Sequence, residues 1–337
     1  MLDQVANSTG AAGGADGTVR TARPAWTRSL LSPDQPYALY VTFIVAIVIF
    51  SVLSPVFLSP ENFVNIGRQT ATVTIVAIGM TLIIGTGEID LSVGATLGLA
   101  SMVTALFLRD ISDNWALGAL AGLLTGAIVG CLNGVLTTRA KIPSFLVTLG
   151  MLSVAGGLAM TVTGTKAVVV TNPDLFQFFG GQVLGIPSQI IWTLAALAIG
   201  IYLLHFSTFG RKIHAVGGNV TAARYSGINT GRVKLIAFVL TGVLAGLAGV
   251  VLTAQAQAAR PTFGTGIELD VIAAVILGGT SLFGGRGTMY GTLVGSLLIG
   301  VLNNGLVLLG VAPTIQTMIK GAIIIVAVAF GTMRKRS

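Results

Sequence analysis

Two carboxylates, Glu88 and Asp90, interrupt an otherwise apolar part of the chain in the stretch GTGEIDLSVGA, residues 85–95. A bare charge in hydrocarbon is costly, so acidic residues in such a setting mark a solute pathway, a paired site or a helix end near water. The pattern returns later as Glu268 and Asp270, again separated by one apolar residue and again opening an apolar run. These four carboxylates are candidates for helix starts or for gating.

The other reactive side chains form no recognisable catalytic or metal-binding pattern. His205 and His214 have no cysteine or carboxylate at ligand spacing and are expected to be loop residues at a membrane boundary. The single cysteine, Cys131, has no partner for an intrachain disulfide. The sequence contains no Gly-x-x-x-x-Gly-Lys-Ser/Thr motif, and GGRGT at 284–288 is interpreted as a tight turn. We therefore expect no enzyme activity, no metal and no cofactor in this chain.

The elements that must position the carboxylates are membrane helices. The chain is 53% hydrophobic and 9% charged, with a mean hydropathy of +0.90, and these values exclude a soluble globular protein. Its 45 glycines suit close packing between membrane helices. The net charge of +8 does not form a basic face with aromatic residues, so we expect no nucleic-acid partner. The predicted class is an all-α polytopic membrane protein.

Ten stretches approach the length of about 20 residues that a helix needs to cross a bilayer. The predicted spans cover residues 36–57, 68–87, 91–108, 116–137, 142–163, 188–206, 233–255, 268–284, 288–309 and 314–331. Residues 1–35 are predicted to be a disordered cytoplasmic tail, residues 36–333 the transmembrane domain and residues 334–337 a basic cytoplasmic tail.

The distribution of Lys and Arg tests this count, since both concentrate in cytoplasmic loops. With the N-terminus inside, the ten spans place these basic residues in the cytoplasm: Arg139, Lys141, Arg211, Lys212, Arg224, Arg232, Lys234, Arg286, Arg334, Lys335 and Arg336. The outer segment 164–187 carries only Lys166 and Asp174, whereas Arg68 and Arg260 are exceptions near the outer face. We therefore expect both termini to be cytoplasmic.

The carboxylate motifs belong to a longer internal repeat. Further matches in the same order are Leu97-Gly98 with Leu277-Gly278, Gly130 to Asn133 with Gly300 to Asn303, and Pro143 with Pro313. Spans 2–5 are therefore predicted to duplicate spans 7–10, and their odd separation inverts one unit in the membrane. Chance similarity between Gly-rich apolar sequences is the alternative.

The repeat gives the carboxylates a structural role. Asp90 is predicted to cap the third span near the cytoplasmic face, and Glu268 and Asp270 to start the eighth at the opposite face. Direct contact with a solute is the alternative.

Few polar side chains lie deep in the spans. Lys320 is the main ionisable one, and snorkelling explains it as well as a proton relay does. Asn133, Asn303 and Asn304 are candidates for lining a path for a polar solute, with hydrogen bonding between helices as the alternative. If the chain is a transporter, the shortage of ionisable residues indicates that transport is driven from outside the chain.

The longest basic cytoplasmic stretch covers residues 209–234. Asn219 is a good N-cap, Ala222 and Ala223 favour helix, and Gly227 is a natural terminator, so the middle of this stretch is predicted to form a short helix. The alternative is an ordinary solvated loop whose arginines only set the topology.

Four segments make the chain resemble the permease subunits of bacterial ABC importers for ribose, xylose and related sugars. These are GEIDLSVGA (87–95), IPSFLVTLGML (142–152), AVGGNVTAARYSGIN (215–229) and IAAVILGGTSLFGGRGTMYGTLVGSLLIGVLNNGL (272–306). The resemblance runs from about residue 36 to the C-terminus, although many relatives carry Gly where this chain has Glu88. It implies a fold like that of a type II ABC importer in the bacterial inner membrane.

The resemblance also implies that the loop at 207–232 couples the chain to an ATP-hydrolysing subunit. Thr221 to Gly227 follows the Glu-Ala-Ala-x-x-x-Gly pattern of many ABC permeases, with Thr in place of Glu. The residues assigned to the coupling surface are Gly218, Asn219, Thr221, Ala222, Ala223, Arg224 and Gly227. Small side chains would let the helix enter a groove, and Arg224 could pair with an acidic residue of the partner.

The implied function is import of a monosaccharide (a pentose, deoxyhexose or hexose), with ATP and Mg bound by the partner subunit. The implied partners are that cytoplasmic ATP-binding subunit, a periplasmic sugar-binding protein, a second permease copy or sister permease, and the lipid bilayer. An ABC permease for a nucleoside, a signalling furanone or a branched-chain amino acid would share this architecture. An autonomous channel or secondary carrier would be a different class of protein.

Overall fold

The computed structural model describes the backbone of residues 37–333 and the side chains of residues 39–323 and 325. The predicted tails, residues 1–35 and 334–337, lie outside the described residues. The described chain is mostly helical, with two small antiparallel strand pairs.

The helices are α1 (Tyr37–Leu53), α2 (Pro60–Gly85), α3 (Val93–Asp110), α4 (Trp115–Thr138), α5 (Ser144–Thr161), α6 (Pro173–Leu175), α7 (Ser188–Ile201), α8 (Thr208–Gly218), α9 (Val220–Tyr225), α10 (Thr230–Ala256), α11 (Ile267–Leu277), α12 (Met289–Leu308) and α13 (Pro313–Met333). Short π-helical segments, Phe176–Gly180 and Tyr202–Phe206, continue α6 and α7. Strand β1 (Val168–Val169) pairs with β4 (Ala258–Ala259), and β2 (Gln182–Val183) pairs with β3 (Ile186–Pro187).

Seven helices within residues 37–333 are long and apolar enough to cross a membrane. They are α2, α3, α4, α5, α7 with its π-helical end, α10 and α12. Helix α1 has 17 residues and α11 has 11, and α13 is not among the seven. The prediction of about ten spans is therefore not confirmed.

The eighth predicted span, 268–284, is wrong at its C-terminal end. Helix α11 stops at Leu277 after 11 residues, and at about 1.5 Å per residue it reaches roughly half of a bilayer core. Gly279 follows with a φ of 88°, a left-handed conformation that glycine adopts without steric cost. The residues between α11 and α12 form a turn that contains GGRGT, as predicted.

The second span begins earlier than predicted, at Pro60 rather than at residue 68. The Ser59 hydroxyl accepts a hydrogen bond of 3.2 Å from the Asn62 amide, which fixes the helix start. Helix α2 then runs through the centre of the molecule, where it packs against α7, α10, α11 and α12. Most of its side chains beyond Ile66 are buried.

Helices α4 and α10 approach each other through glycines. A Cβ atom at Gly126 would overlap the Gly242 carbonyl, and one at Gly130 would overlap the Phe238 carbonyl. Gly126 and Gly130 therefore bring two helices of the same chain into close contact, as small residues do in membrane proteins.

Candidate functional site

The short helix predicted in the basic loop is confirmed as α9. The Asn219 side-chain oxygen accepts a hydrogen bond of 2.9 Å from the Ala222 amide, as an N-cap does. At the other end, Gly227 has a φ of 80°, and the Ile228 amide donates to the Ala223 carbonyl at 3.0 Å. This is a Schellman ending, which needs glycine at the left-handed position. Helix α9 thus has both ends fixed by local sequence.

The side chains of α9 divide into an inward and an outward set. Ala223 is only 5% exposed and belongs to the main apolar core. Contrary to the prediction for this residue, its side chain is therefore not accessible at the surface of α9. Ala223 is buried because it lies on the side of α9 that packs against the rest of the chain. Thr221, Ala222 and Arg224 point outward with Tyr225, which is 89% exposed. These four form the exposed face of α9.

Open clefts lie on both sides of the turn that follows α9. One has a volume of about 410 Å³ and is lined by Thr138, Arg224 and residues 227–231. The other has a volume of about 620 Å³ and is lined by residues 226–229 with residues of α8 and α10, including Lys212 and Arg232. The charged residues that line the two clefts are all basic, so this surface suits an acidic partner.

The loop that carries α9 is joined to the membrane helices through backbone contacts between glycines. The Gly285 amide donates to the Gly85 carbonyl at 3.1 Å, linking the turn after α11 to the end of α2. A Cβ at Gly217, near the end of α8, would overlap the Gly85 carbonyl and crowd the Gly285 amide. Because these segments touch without intervening side chains, a displacement of α8 and α9 would press directly on the end of α2 and on the turn after α11.

Glu88 lies in the turn between α2 and α3 and forms an ion pair with Lys234 of α10. Both side chains are largely buried, and in such surroundings a charge needs a partner. The carboxylate therefore fixes the turn that follows Gly85 to the start of α10.

Asp90 is buried in a polar cluster with Ser92 and Asn133. Its Oδ1 atom accepts from the Ser92 amide at 2.8 Å and from the Ser92 hydroxyl at 2.6 Å, and the Asn133 amide donates to the Ser92 hydroxyl at 2.8 Å. Burial raises the pKa of the Asp90 carboxyl, and the hydrogen bonds from Ser92 and Asn133 oppose that rise. Because the chain makes a further turn before α3 begins at Val93, Asp90 binds the residue before the helix instead of capping its first turn.

The second carboxylate motif has different partners. Lys320 of α13 donates to Asp270 of α11, with Nζ and Oδ2 2.8 Å apart. Lys320, for which snorkelling or a relay was predicted, is thus held in an ion pair. Glu268 lies against Gly94 of α3, where a Cβ atom would overlap its Oε2. The two motifs share their position at helix starts and differ in how each charge is satisfied.

The three asparagines considered for a solute path are placed differently. Asn304 exchanges hydrogen bonds of 3.0 and 2.9 Å with Asn62 of α2, an arrangement that joins α2 to α12. Asn133 is buried in the Asp90 cluster, and its Oδ1 atom has no hydrogen-bond partner. The Oδ1 atom of Asn303 is also buried without a partner. In this conformation Asn133 and Asn304 face other helices, and their part in a path stays a prediction.

The two histidines lie apart from any metal-like cluster. The Nε2 atom of His205 accepts from the Met289 amide at 3.2 Å, and its ring stacks on Tyr290. His214 has a buried Nδ1 without a hydrogen-bond partner. Among the described residues no group of three or more His, Cys, Asp and Glu could hold a metal ion.

Sequence reasoning missed three residues that matter to this site: Lys234, Asn62 and Tyr225. The predicted topology uses Lys234 only as a cytoplasmic charge, although Glu88 lies two residues before Asp90 on the same predicted side and opposite charges there invite pairing. The Asn62–Asn304 pair depends on the packing of α2 on α12, and the exposure of Tyr225 depends on the rotation of α9. Neither carries a sequence signal.

Known proteins are similar to this chain over most of its length. The family described as "Branched-chain amino acid transport system / permease component" matches residues 62–328. The ribose import permease protein RbsC of Escherichia coli K12 is 43% identical over 293 residues, covering 86% of this chain and 91% of the relative. The same-named protein of Bacillus subtilis is 44% identical over 300 residues, covering 88% and 92%. The D-allose transport system permease protein AlsC of Escherichia coli K12 is 37% identical over 294 residues, covering 87% and 90%. No solved structure matches the chain.

Proposed function

The chain belongs to the family of branched-chain amino acid transport system permease components, and on that premise we propose that it is the permease subunit of an ABC importer for a monosaccharide. The observation that carries this proposal is the similarity over most of the chain to permeases named for ribose and D-allose import. The family description names branched-chain amino acids instead, so such an amino acid is the second candidate substrate. The sugar is preferred because relatives named for sugars are similar over 86 to 88% of this chain.

The fold is proposed to be that of a type II ABC importer with ten spans, in which α2 to α5 and α10 to α13 are inverted copies. Packing supports this pairing. Helix α4 of the first copy packs against α10 of the second, and helix α12 of the second copy packs against α2 of the first. In the contact between α4 and α10, Gly130 lies against Phe238. In the contact between α12 and α2, its repeat counterpart Gly300 lies against Thr70. Such an exchange of partners is expected of two related halves.

The energy for transport is proposed to come from a cytoplasmic subunit that binds ATP and Mg and docks on α9. The exposed face of α9 and the basic clefts beside it offer that subunit a surface. The glycine contacts among Gly85, Gly217 and Gly285 provide a short mechanical route from α9 to the ends of α2 and α11. This arrangement lets movement of one cytoplasmic element change the packing of the central helix.

In the proposed cycle a periplasmic binding protein delivers the sugar to the outer face. ATP binding and hydrolysis then shift α9, and the helices alternate between outward and inward openings. A second copy or a sister permease completes the transporter. The protein is a multi-pass protein of the bacterial inner membrane, and its two termini are proposed to be cytoplasmic.

The substrate class can be tested with the complete complex in proteoliposomes, comprising this chain, its ATPase subunit and its binding protein. We expect ATPase activity to rise several-fold when the binding protein carries a monosaccharide, tested with ribose, allose and arabinose in turn. Leucine serves as the matched test of the second candidate. Stimulation by leucine and by none of the sugars would overturn the sugar assignment.

A further inference from the structure

An apolar patch covers the hairpin that leads into α7. Leu184, at the tip of the β2–β3 hairpin, is 97% exposed, and its neighbours Val183 and Ile186 are also exposed. Phe178, in the preceding π-helical segment, is exposed as well. Several exposed large apolar side chains within residues 178–186 indicate a contact with something other than water.

The hairpin tip has a backbone conformation that disfavours leucine. Leu184 and Gly185 have φ values of 53° and 77°, the pair of left-handed residues of a tight hairpin turn. Asn or Asp is the usual first residue of such a turn, because their short polar side chains tolerate this conformation. A fully exposed leucine gains nothing from side-chain contacts within the chain, so a contact outside the chain would give this residue type a reason to occupy the turn.

An aromatic cluster links this patch to the N-terminal ends of α4 and α7. The Phe178 ring lies 4.6 Å from Trp115, the first residue of α4, and 5.5 Å from Trp192, in the first turns of α7. The Trp192 indole also donates to the Phe178 carbonyl at 3.1 Å. Tryptophans at the ends of membrane helices are typical of the boundary between lipid tails and headgroups. The two tryptophans beside Phe178 therefore favour a position of this segment at that boundary.

Exposed apolar side chains also lie along the two helices that adjoin this patch. Helix α7 follows the hairpin directly and exposes Ile191, Leu194 and Ile199 along one side. Helix α4 begins at Trp115 and exposes Leu117, Leu120 and Leu124. The charged residues between 164 and 187 are Lys166 and Asp174, both exposed and both before the hairpin. The hairpin thus extends an apolar membrane-facing side without adding a charge that would resist insertion.

We propose that the segment 176–187 is an interfacial anchor whose hairpin tip, with Leu184 foremost, inserts among the acyl chains and headgroups of the outer leaflet. The occupant of this surface is the lipid bilayer. Strand pairing satisfies part of the backbone of the hairpin, and apolar side chains flank its tip, two features that favour shallow insertion. Such an anchor would hold the outer ends of α4 and α7 at a fixed depth while other helices move.

The test places a fluorescent probe on the full chain in nanodiscs of phosphatidylethanolamine and phosphatidylglycerol. Cys131 is replaced by Ser, and an NBD label is attached to Leu184→Cys or, as the matched control, to Asp174→Cys. Both positions are exposed in the chain and close in sequence, so neither label should disturb folding. Quenching is measured with iodide in the water and with phospholipids that carry a nitroxide near the headgroup.

We expect iodide to quench the label at position 184 several-fold less than the label at position 174, and nitroxide lipid to quench it more. Equal quenching by iodide at the two positions, with no added effect of nitroxide lipid at 184, would overturn the proposal. Protection of position 184 that appears only after a periplasmic binding protein is added would also overturn it, because the surface would then be a protein docking site.

Discussion

Glu88 and Lys234 are each other's partner at the end of two helices, α2 and α10. The pair is largely buried, and the relevant comparison is between losing one charge and losing both. Loss of one partner leaves the other desolvated and unpaired, whereas replacement of both by neutral groups of similar shape removes the problem. Removal of one of the two charges is therefore expected to disturb the positions of these helices more than removal of both.

We predict that Glu88→Gln lowers folding stability by about 1–3 kcal/mol, because the Lys234 ammonium is left without its counter-charge. The double variant Glu88→Gln with Lys234→Met should recover most of that loss. The measurement is thermal unfolding in detergent for the wild type, both single variants and the double variant. A double variant as unstable as the sum of the two single changes would show that the side chains do not interact.

At the residue scale, the sequence predicted features set by local chemistry. Asn219 as a cap and Gly227 as a terminator follow from side-chain geometry and backbone freedom within a few residues. The burial of Ala223 and the reciprocal bonds of Asn62 and Asn304 depend on how helices lie against one another. No short-range rule contains that information.

Helix α9 offers two neighbouring alanines in opposite settings, and this gives a matched pair of variants. Ala223→Glu should destabilise the permease by about 2–4 kcal/mol, because a carboxylate would enter the apolar core. Ala222→Glu should leave thermal stability unchanged and reduce sugar-stimulated ATPase activity of the complex, because it alters only the exposed face of α9. Unimpaired ATPase activity and transport with Ala222→Glu would count against docking at this face.

Two helical glycines, one at the contact between α4 and α10 and one away from it, give a second matched pair of variants. Gly126 meets the Gly242 carbonyl, whereas Gly150 of α5 has open space where a Cβ would be. Gly126→Ala is expected to cost at least about 2 kcal/mol by forcing the helices apart, and Gly150→Ala to be neutral within about 0.5 kcal/mol. Melting temperatures of the two variants in the same detergent check this, and equal effects would mean that α4 and α10 are not in close contact.

At the element scale, apolar runs predicted where most helices lie but not where α11 ends. The run from 271 to 284 carries no charged residue, and a transfer scale does not distinguish a helix from an apolar turn. The chain leaves the helix at Gly278 and Gly279 because the following turn packs on α8 and on the end of α2. Tertiary contacts set this boundary.

At the scale of the whole molecule, the proposed inverted repeat would account for the likeness in sequence of the two carboxylate motifs, whose contacts in the structure differ. Asp90 is satisfied by Ser92 and Asn133, and Asp270 by Lys320. Asp90 lies in the turn before α3 and Asp270 in the first turn of α11, so each carboxylate takes its partners from the helices around it. Such divergence is expected for inverted copies with different tasks.

The central claim is that this chain moves a sugar only when a separate subunit hydrolyses ATP. The most direct measurement is uptake of radiolabelled ribose, and in parallel of allose and arabinose, into proteoliposomes loaded with ATP, with and without the ATPase subunit. We predict accumulation of at least one of these sugars that requires ATP, the ATPase subunit and the binding protein together. Equal uptake by the permease alone, without ATP or the ATPase subunit, would contradict the account and indicate an autonomous channel or carrier.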